Sequence, residues 1–171
     1  MMKTPILFAA CFIAILCSCG KNPLVAPGSN ISATINGVPE KFDFIDSVGY
    51  SNSAGWYTMS VSGKSGTSDT ADVIQLTVFS KTAITTGTYT FTPVIQQPSS
   101  YALIVYSLKG SHNFVNDYVV DYTGAHPIAI NISQLSKTHV QGTFNGTLIV
   151  AAGSSGTTKD FTDGQFNLGS K

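Results

Sequence analysis

Three cysteines, three histidines, eight aspartates and a single glutamate are the side chains of this 171-residue chain best equipped for chemistry. The cysteines carry the most specific spacing. Leu16-Cys17-Ser18-Cys19 ends an apolar run over residues 6–16 that follows the positive charge of Lys3. A charged start, about eleven apolar residues and a small residue at the cut make an export signal. With cysteine directly after the cut the pattern is a lipobox, and the chemistry expected is acylation. Cleavage before Cys19 leaves it as the amino-terminal residue, its sulfur in a thioether and fatty acyl chains attached. Cys17 is a poorer site because bulky Leu16 occupies the small-residue position, and Cys11 lies inside the apolar run. An ordinary signal peptide that happens to contain cysteines is the competing reading. A spanning helix would need about 20 apolar residues, so the run is too short to be one. Two or three acyl chains, at about 0.8 kcal/mol per buried methylene, anchor a protein stably where a single chain does not.

Because all three cysteines precede residue 20, the processed chain keeps only Cys19. The exported compartment permits disulfides, yet none can form within one such chain. Stability must then come from the hydrophobic core.

The other chemical signals are weaker. Gly63-Lys64-Ser65 resembles the end of a phosphate-binding loop, but Thr58 stands where that loop needs glycine, and no helix follows. Gly153-Ser154-Ser155-Gly156 misses the nucleophile-elbow spacing because residue 157 is Thr. His112, His126 and His139 are scattered, and none lies at metal-ligand spacing from another. Asp160 and Asp163 lack the alternating carboxylates of a calcium loop, while Asp69 and Asp72 read as solvated loop residues. Glu40 is the only glutamate, which rules out a paired-glutamate glycosidase and leaves an Asp pair without support. No catalytic residue, metal site or cofactor is expected. Trp56, the one tryptophan, falls by alternation with Thr58, Ser60 and Ser62 on a polar face, opposite Tyr57, Met59 and Val61. An apolar ring there either contacts a ligand or covers a sheet edge.

The elements that would position these residues are strands. Ile31, Ala33 and Ile35 share a face ahead of Asn36-Gly37, a pair that favours a tight hairpin. Phe42 and Phe44 continue that face by parity. Similar alternation marks Ile74-Leu76-Val78, Ile128-Ile130-Ile132 and Val140-Phe144-Leu148-Val150, and Phe166 and Leu168 close the chain. No stretch shows the 3.6-residue period of a helix. Residues 62–72, 93–100 and 153–160 read as surface loops, and Tyr101–Tyr106, apolar on both faces, reads as a central strand. Short strands with one apolar face each predict an antiparallel β-sandwich, with a β-barrel as the alternative. The division expected is a signal over residues 1–18, lipidated Cys19 with a tether to residue 30, and a β-domain over 31–169. Fully extended, the tether spans about 35 Å.

Composition narrows the partners. There is no arginine, and loss of Lys3 leaves eight lysines against nine carboxylates, a net charge of −1. Nucleic acid, gripped by clustered Arg and Lys, is not an expected partner. Charged residues make up 11% of the chain, so its solubility rests on Ser, Thr, Asn and Gly.

The lipobox, Ser32-Ala33-Thr34-Ile35-Asn36-Gly37-Val38-Pro39, Gly87-Thr88-Tyr89, Val140-Gln141-Gly142-Thr143-Phe144 and Asp163-Gly164-Gln165-Phe166 together resemble uncharacterised lipoproteins of the Bacteroidetes. These carry a single β-rich domain of unknown function. The resemblance implies fold and address and transfers no catalytic residue. Members sent to the cell surface often carry acidic residues after the cysteine. Gly20-Lys21-Asn22 has none, which favours the periplasmic face of the outer membrane, with the cell surface as the alternative. The expected function is a non-catalytic structural or binding role on the membrane. The alternative is a glycan- or peptide-binding module serving uptake, and a hydrolase comes third.

Overall fold

The computed structural model describes residues 28–93, 96, 98–108, 117–151 and 157–169. Among them there is no α-helix, and eleven strands follow in order. These are β1 (Asn30–Ile35), β2 (Val38–Phe42), β3 (Phe44–Ser53), β4 (Trp56–Lys64), β5 (Val73–Ser80) and β6 (Gly87–Thr90). Then come β7 (Ser100–Ser107), β8 (Tyr118–Val119), β9 (Ile128–Leu135), β10 (His139–Val150) and β11 (Thr158–Gly169).

Successive side chains on a strand point to opposite faces, and burial follows that period. Ile31, Ala33 and Ile35 of β1, Ile74, Leu76 and Val78 of β5, and Ile128, Ile130 and Ile132 of β9 all join one core. Asn36 and Gly37 both take positive φ, 49° and 81°, so the expected tight hairpin joins β1 to β2.

All pairings are antiparallel, as expected. Hydrogen bonding follows one path, β2-β1-β11-β10-β8-β7-β5-β4-β3. Long β10 branches it: residues 140–146 pair with β9, which carries β6, and residues 149–150 pair with β8. The path's two ends, β2 and β3, are separated in sequence by Asp43 alone. Phe42 at the end of β2 lies against Gly63 of β4, where an added Cβ would stand 3.0 Å from the Phe42 carbonyl oxygen. The sheet therefore rolls back almost onto itself. Of the two closures expected, this continuous path is nearer the barrel, as accumulated twist curls a long sheet.

The corner at Asp43 corrects one expectation. Phe42 is fully buried, but Phe44 is 46% exposed. Parity does not carry through the corner, because β3 pairs with β4 instead of β1 and its register slips between Ile45 and Ser47. The expected loop over residues 62–72 is also shorter than its composition suggests. β4 runs on to Lys64, and Ala71 and Asp72 are buried.

The seam between β10 and β11 holds the core together. Gly142 faces Phe166, and Phe144 faces Gly164. Each glycine lets the opposite phenyl ring lie directly on the backbone, and a Cβ at either would collide with that ring. A bulge in β11 at Asp163, φ 52°, sets two residues, Thr162 and Asp163, against Asn145 of β10. It turns Phe161 inward although its parity opposes that of Phe166.

Candidate functional site

Cys19 and His112 lie outside the described residues. Trp56, at the first position of β4, is on the outer face with Thr58 and Ser60, as alternation requires. Its ring is only half-exposed. It reaches across the end of β5 to meet Tyr101 of β7 edge-to-face, with centroids 5.5 Å apart. Tyr101 is itself stacked on its cross-strand partner Phe79 at 4.7 Å and 17°. Such pairs contribute about 0.5–1.5 kcal/mol beyond the area they bury. Lys81 holds its ammonium 5.5 Å from the Trp56 ring centroid.

The array continues toward the next loop. Burial, then the neighbouring Tyr122, pushes the Tyr101 phenol's pKa up. Tyr122 is 59% exposed and packs edge-to-face on Phe91 at 5.7 Å. Its loop is pinned from behind by buried Asp121. Oδ1 of that carboxylate accepts from the Thr123 amide (2.8 Å) and hydroxyl (2.7 Å), and Oδ2 accepts from His126 Nδ1 (2.8 Å). The His126 bond first, then those from Thr123, hold the Asp121 carboxyl down at about 2. Ionised, it can only accept, so His126 Nδ1 carries the proton.

This Asp–His pair is a turn lock. The hydroxyl beside it, Thr123 Oγ1, donates to Asp121 and accepts from the Ala125 amide at 3.3 Å. A triad needs a nucleophilic hydroxyl bonded to the histidine's second nitrogen, and the Thr123 hydroxyl faces the carboxylate. His139 lies at the start of β10, on another element. Among the described residues no three His, Cys, Asp or Glu side chains come together to hold a metal.

Alongside the rings the outer face is a field of small neutral groups. Cross-strand register brings Ser53, Ser51, Gly49 and Ser47 of β3 beside Trp56, Thr58, Ser60 and Ser62 of β4. Phe79, Thr77 and Gln75 of β5 follow on the other side. The Ser60 hydroxyl shares hydrogen bonds with Thr77 Oγ1 (3.3 Å) and Gln75 Nε2 (3.1 Å), and those of Ser47 and Ser62 bond at 3.0 Å. Among the described residues of this face charge appears at the two ends, as Lys81 beside Trp56 and the 3.4 Å pair of Lys64 with Asp46. Lys64, from the motif resembling a phosphate loop, is thus a strand residue paired to a carboxylate.

Sequence reasoning missed a second feature, a cleft of about 430 Å³ at the other end of β5 and β7. Glu40, Asp72, Tyr106 and Lys159 contribute its polar groups, with Ile35 and Leu108 among its apolar walls. Asp72 is here a correction: it is 7% exposed, and Oδ2 accepts the Tyr106 hydroxyl at 2.6 Å. A polar loop composition hid it, because the Ser65 amide and hydroxyl bind the Asp72 backbone and fold the loop inward. The one sequence signal was Tyr106 itself, a hydroxyl at an inward position of a strand, which needs a buried partner.

No known protein family matches the chain, and no curated protein or solved structure matches it.

Proposed function

We propose that this protein is an exported β-domain, anchored through lipid on Cys19 to the periplasmic face of the outer membrane, that acts by binding neutral glycans. One observation carries the binding reading. The outer sheet face joins Trp56, Phe79 and Tyr101 to rows of Ser, Thr and Gln, and among the described residues its charges lie at the two ends. Sugar rings offer apolar C–H faces, which stack on aromatic rings, and hydroxyls, which exchange hydrogen bonds with side-chain hydroxyls and amides. A charged peptide would find few counter-charges on this surface. Buried Tyr101 fixes the position of Trp56, so little ordering entropy opposes binding. A role in uptake fits this address, with the lipid holding the domain near the membrane and the sheet face collecting substrate.

Two experiments test the two halves. Fatty-acid labelling in cells should mark the wild type in the membrane fraction and leave Cys19→Ala unlabelled; unchanged labelling overturns the anchor. The detergent-purified full chain should bind one or more members of a panel of neutral glucans, mannans and xylans. Trp56→Ala should weaken that binding about tenfold or more, as loss of a central aromatic anchor does. Failure of the whole panel, or full affinity in the variant, overturns the glycan reading.

A further inference from the structure

We infer that the cleft at the far end of β5 and β7 is a second binding site, one that takes a small molecule bearing a protonated primary amine. It lies roughly 20 Å along the strands from the aromatic array, given about 3.3 Å per residue between Asp72 and Phe79. Its volume of about 430 Å³ falls in the range, about 300–1,000 Å³, of small-ligand pockets.

The floor is preformed. Asp72 is tied to Ser65 through its own backbone, accepting from the Ser65 amide at 2.9 Å and donating to the Ser65 hydroxyl at 3.1 Å. The Tyr106 ring is gripped edge-to-face by Phe42 (6.2 Å) and Phe161 (5.4 Å). The rim is fixed by Asn36, whose amide donates to the Asp160 carbonyl at 2.9 Å while its Oδ1 accepts from the Asp160 amide at 2.8 Å. These bonds hold the β1–β2 hairpin against the start of β11 beside Lys159. The groups that would contact a ligand are therefore in place before it arrives.

The chemistry of the lining selects the ligand. Burial first, then the Asp72 hydrogen bond and the charges of Asp72 and Glu40, push the Tyr106 phenol far above its ordinary pKa. Its proton thus stays in place and points at Asp72, so the phenol oxygen offers the cleft lone pairs only. Both carboxylates are acceptors as well, and both act on the same phenol. Among the described residues Glu40 has no ion pair, so its carboxylate lines the cleft uncompensated. An occupant must supply donors and positive charge, and a primary ammonium supplies three donors and one charge. Lys159, 5.5 Å from the Tyr118 ring centroid, provides a second pole for an acceptor next to that amine. An amino sugar and the amino end of a short peptide share this chemistry.

The test is isothermal titration of the detergent-purified full chain with glucosamine and with glycylglycine, each beside its N-acetylated form. At least one free amine should bind saturably, with its acetylated form about tenfold weaker or worse. Whichever amine binds identifies the source. Glu40→Gln should weaken that binding about tenfold without changing the thermal transition, since Glu40 sits on an edge strand and is only partly buried. Tyr106→Phe, which keeps the ring and removes the hydroxyl, should weaken it as well. Trp56→Ala should leave it unchanged, which separates this site from the glycan face. Absence of binding by both amines at millimolar concentration, equal binding of the acetylated forms, or full affinity in Glu40→Gln overturns the proposal.

Discussion

Phe144 of β10 stands directly opposite Gly164 of β11, and two residues away Phe166 stands opposite Gly142, so each phenyl ring covers a bare stretch of its partner's backbone. The two Gly-x-Phe segments of the chain, 142–144 and 164–166, thus pair with one another in antiparallel register. All four residues are buried.

Gly142→Ala and Gly164→Ala should each destabilise the protein by about 2–3 kcal/mol, the upper part of the range for overpacking a tight core. At Gly142 the new methyl would run into the Asn131 carbonyl oxygen and the Phe166 ring; at Gly164 it would meet the Phe144 carbonyl and ring. Gly49→Ala on β3 is the control, since nothing lies within 4 Å of its Cβ position and its φ is ordinary. It should stay within about 0.5 kcal/mol of wild type. Chemical denaturation of the three variants checks the contrast.

Phe144→Ala removes the other half of that interlock. The ring is 2% exposed, so the loss should be about 3–5 kcal/mol. Because no cysteine follows Cys19, denaturation curves of the wild type should superimpose with and without reductant. A loss below about 1 kcal/mol would contradict the core position.

Trp56 is the only tryptophan, so fluorescence reads it alone. Half-buried against Tyr101 with Lys81 nearby, it should emit between the fully buried and fully exposed limits and be partly quenched by acrylamide. Trp56→Ala should cost about 1–2 kcal/mol, less than a core aromatic and more than a free surface residue. Lys81→Ala should raise the quenching constant. A deeply blue, unquenched spectrum would contradict this placement.

The turn lock predicts an acid limb. Asp121 titrates at about 2 in the fold, below its ordinary 3.8. A depressed carboxyl stabilises the native state at pH values above its unfolded pKa, and that contribution is lost as pH falls from about 4 to about 2. The gap in thermal midpoint between wild type and Asp121→Asn should narrow as pH falls through that window. A gap unchanged at pH 2 would contradict the assignment.

Period-2 alternation made most of the inner face legible in advance. Ile31, Ile74, Leu76, Ile130, Val140 and Phe144 each sit where parity predicts, because an isolated strand can bury only one of its two faces. Alternation failed where the backbone changes phase. The corner at Asp43 turned Phe44 outward, and the bulge at Asp163 turned Phe161 inward. Neither has a local signature strong enough to read, since any short polar residue tolerates such a kink.

By itself the sequence determined the all-β class, the inward residues of the regular strands, the Asn36-Gly37 hairpin and the outward face of Trp56. All of these depend on neighbours a few positions apart, where backbone stereochemistry and side-chain direction leave few options. Only the tertiary structure decided what met across the sheet. It set Gly142 against Phe166, folded Trp56 over Tyr101, and buried Asp72 under Tyr106 in a cleft shared with Glu40 and Lys159. Such pairings follow from strand register and from the rolling of one sheet, which many weak long-range contacts select together and no local stretch of chain encodes.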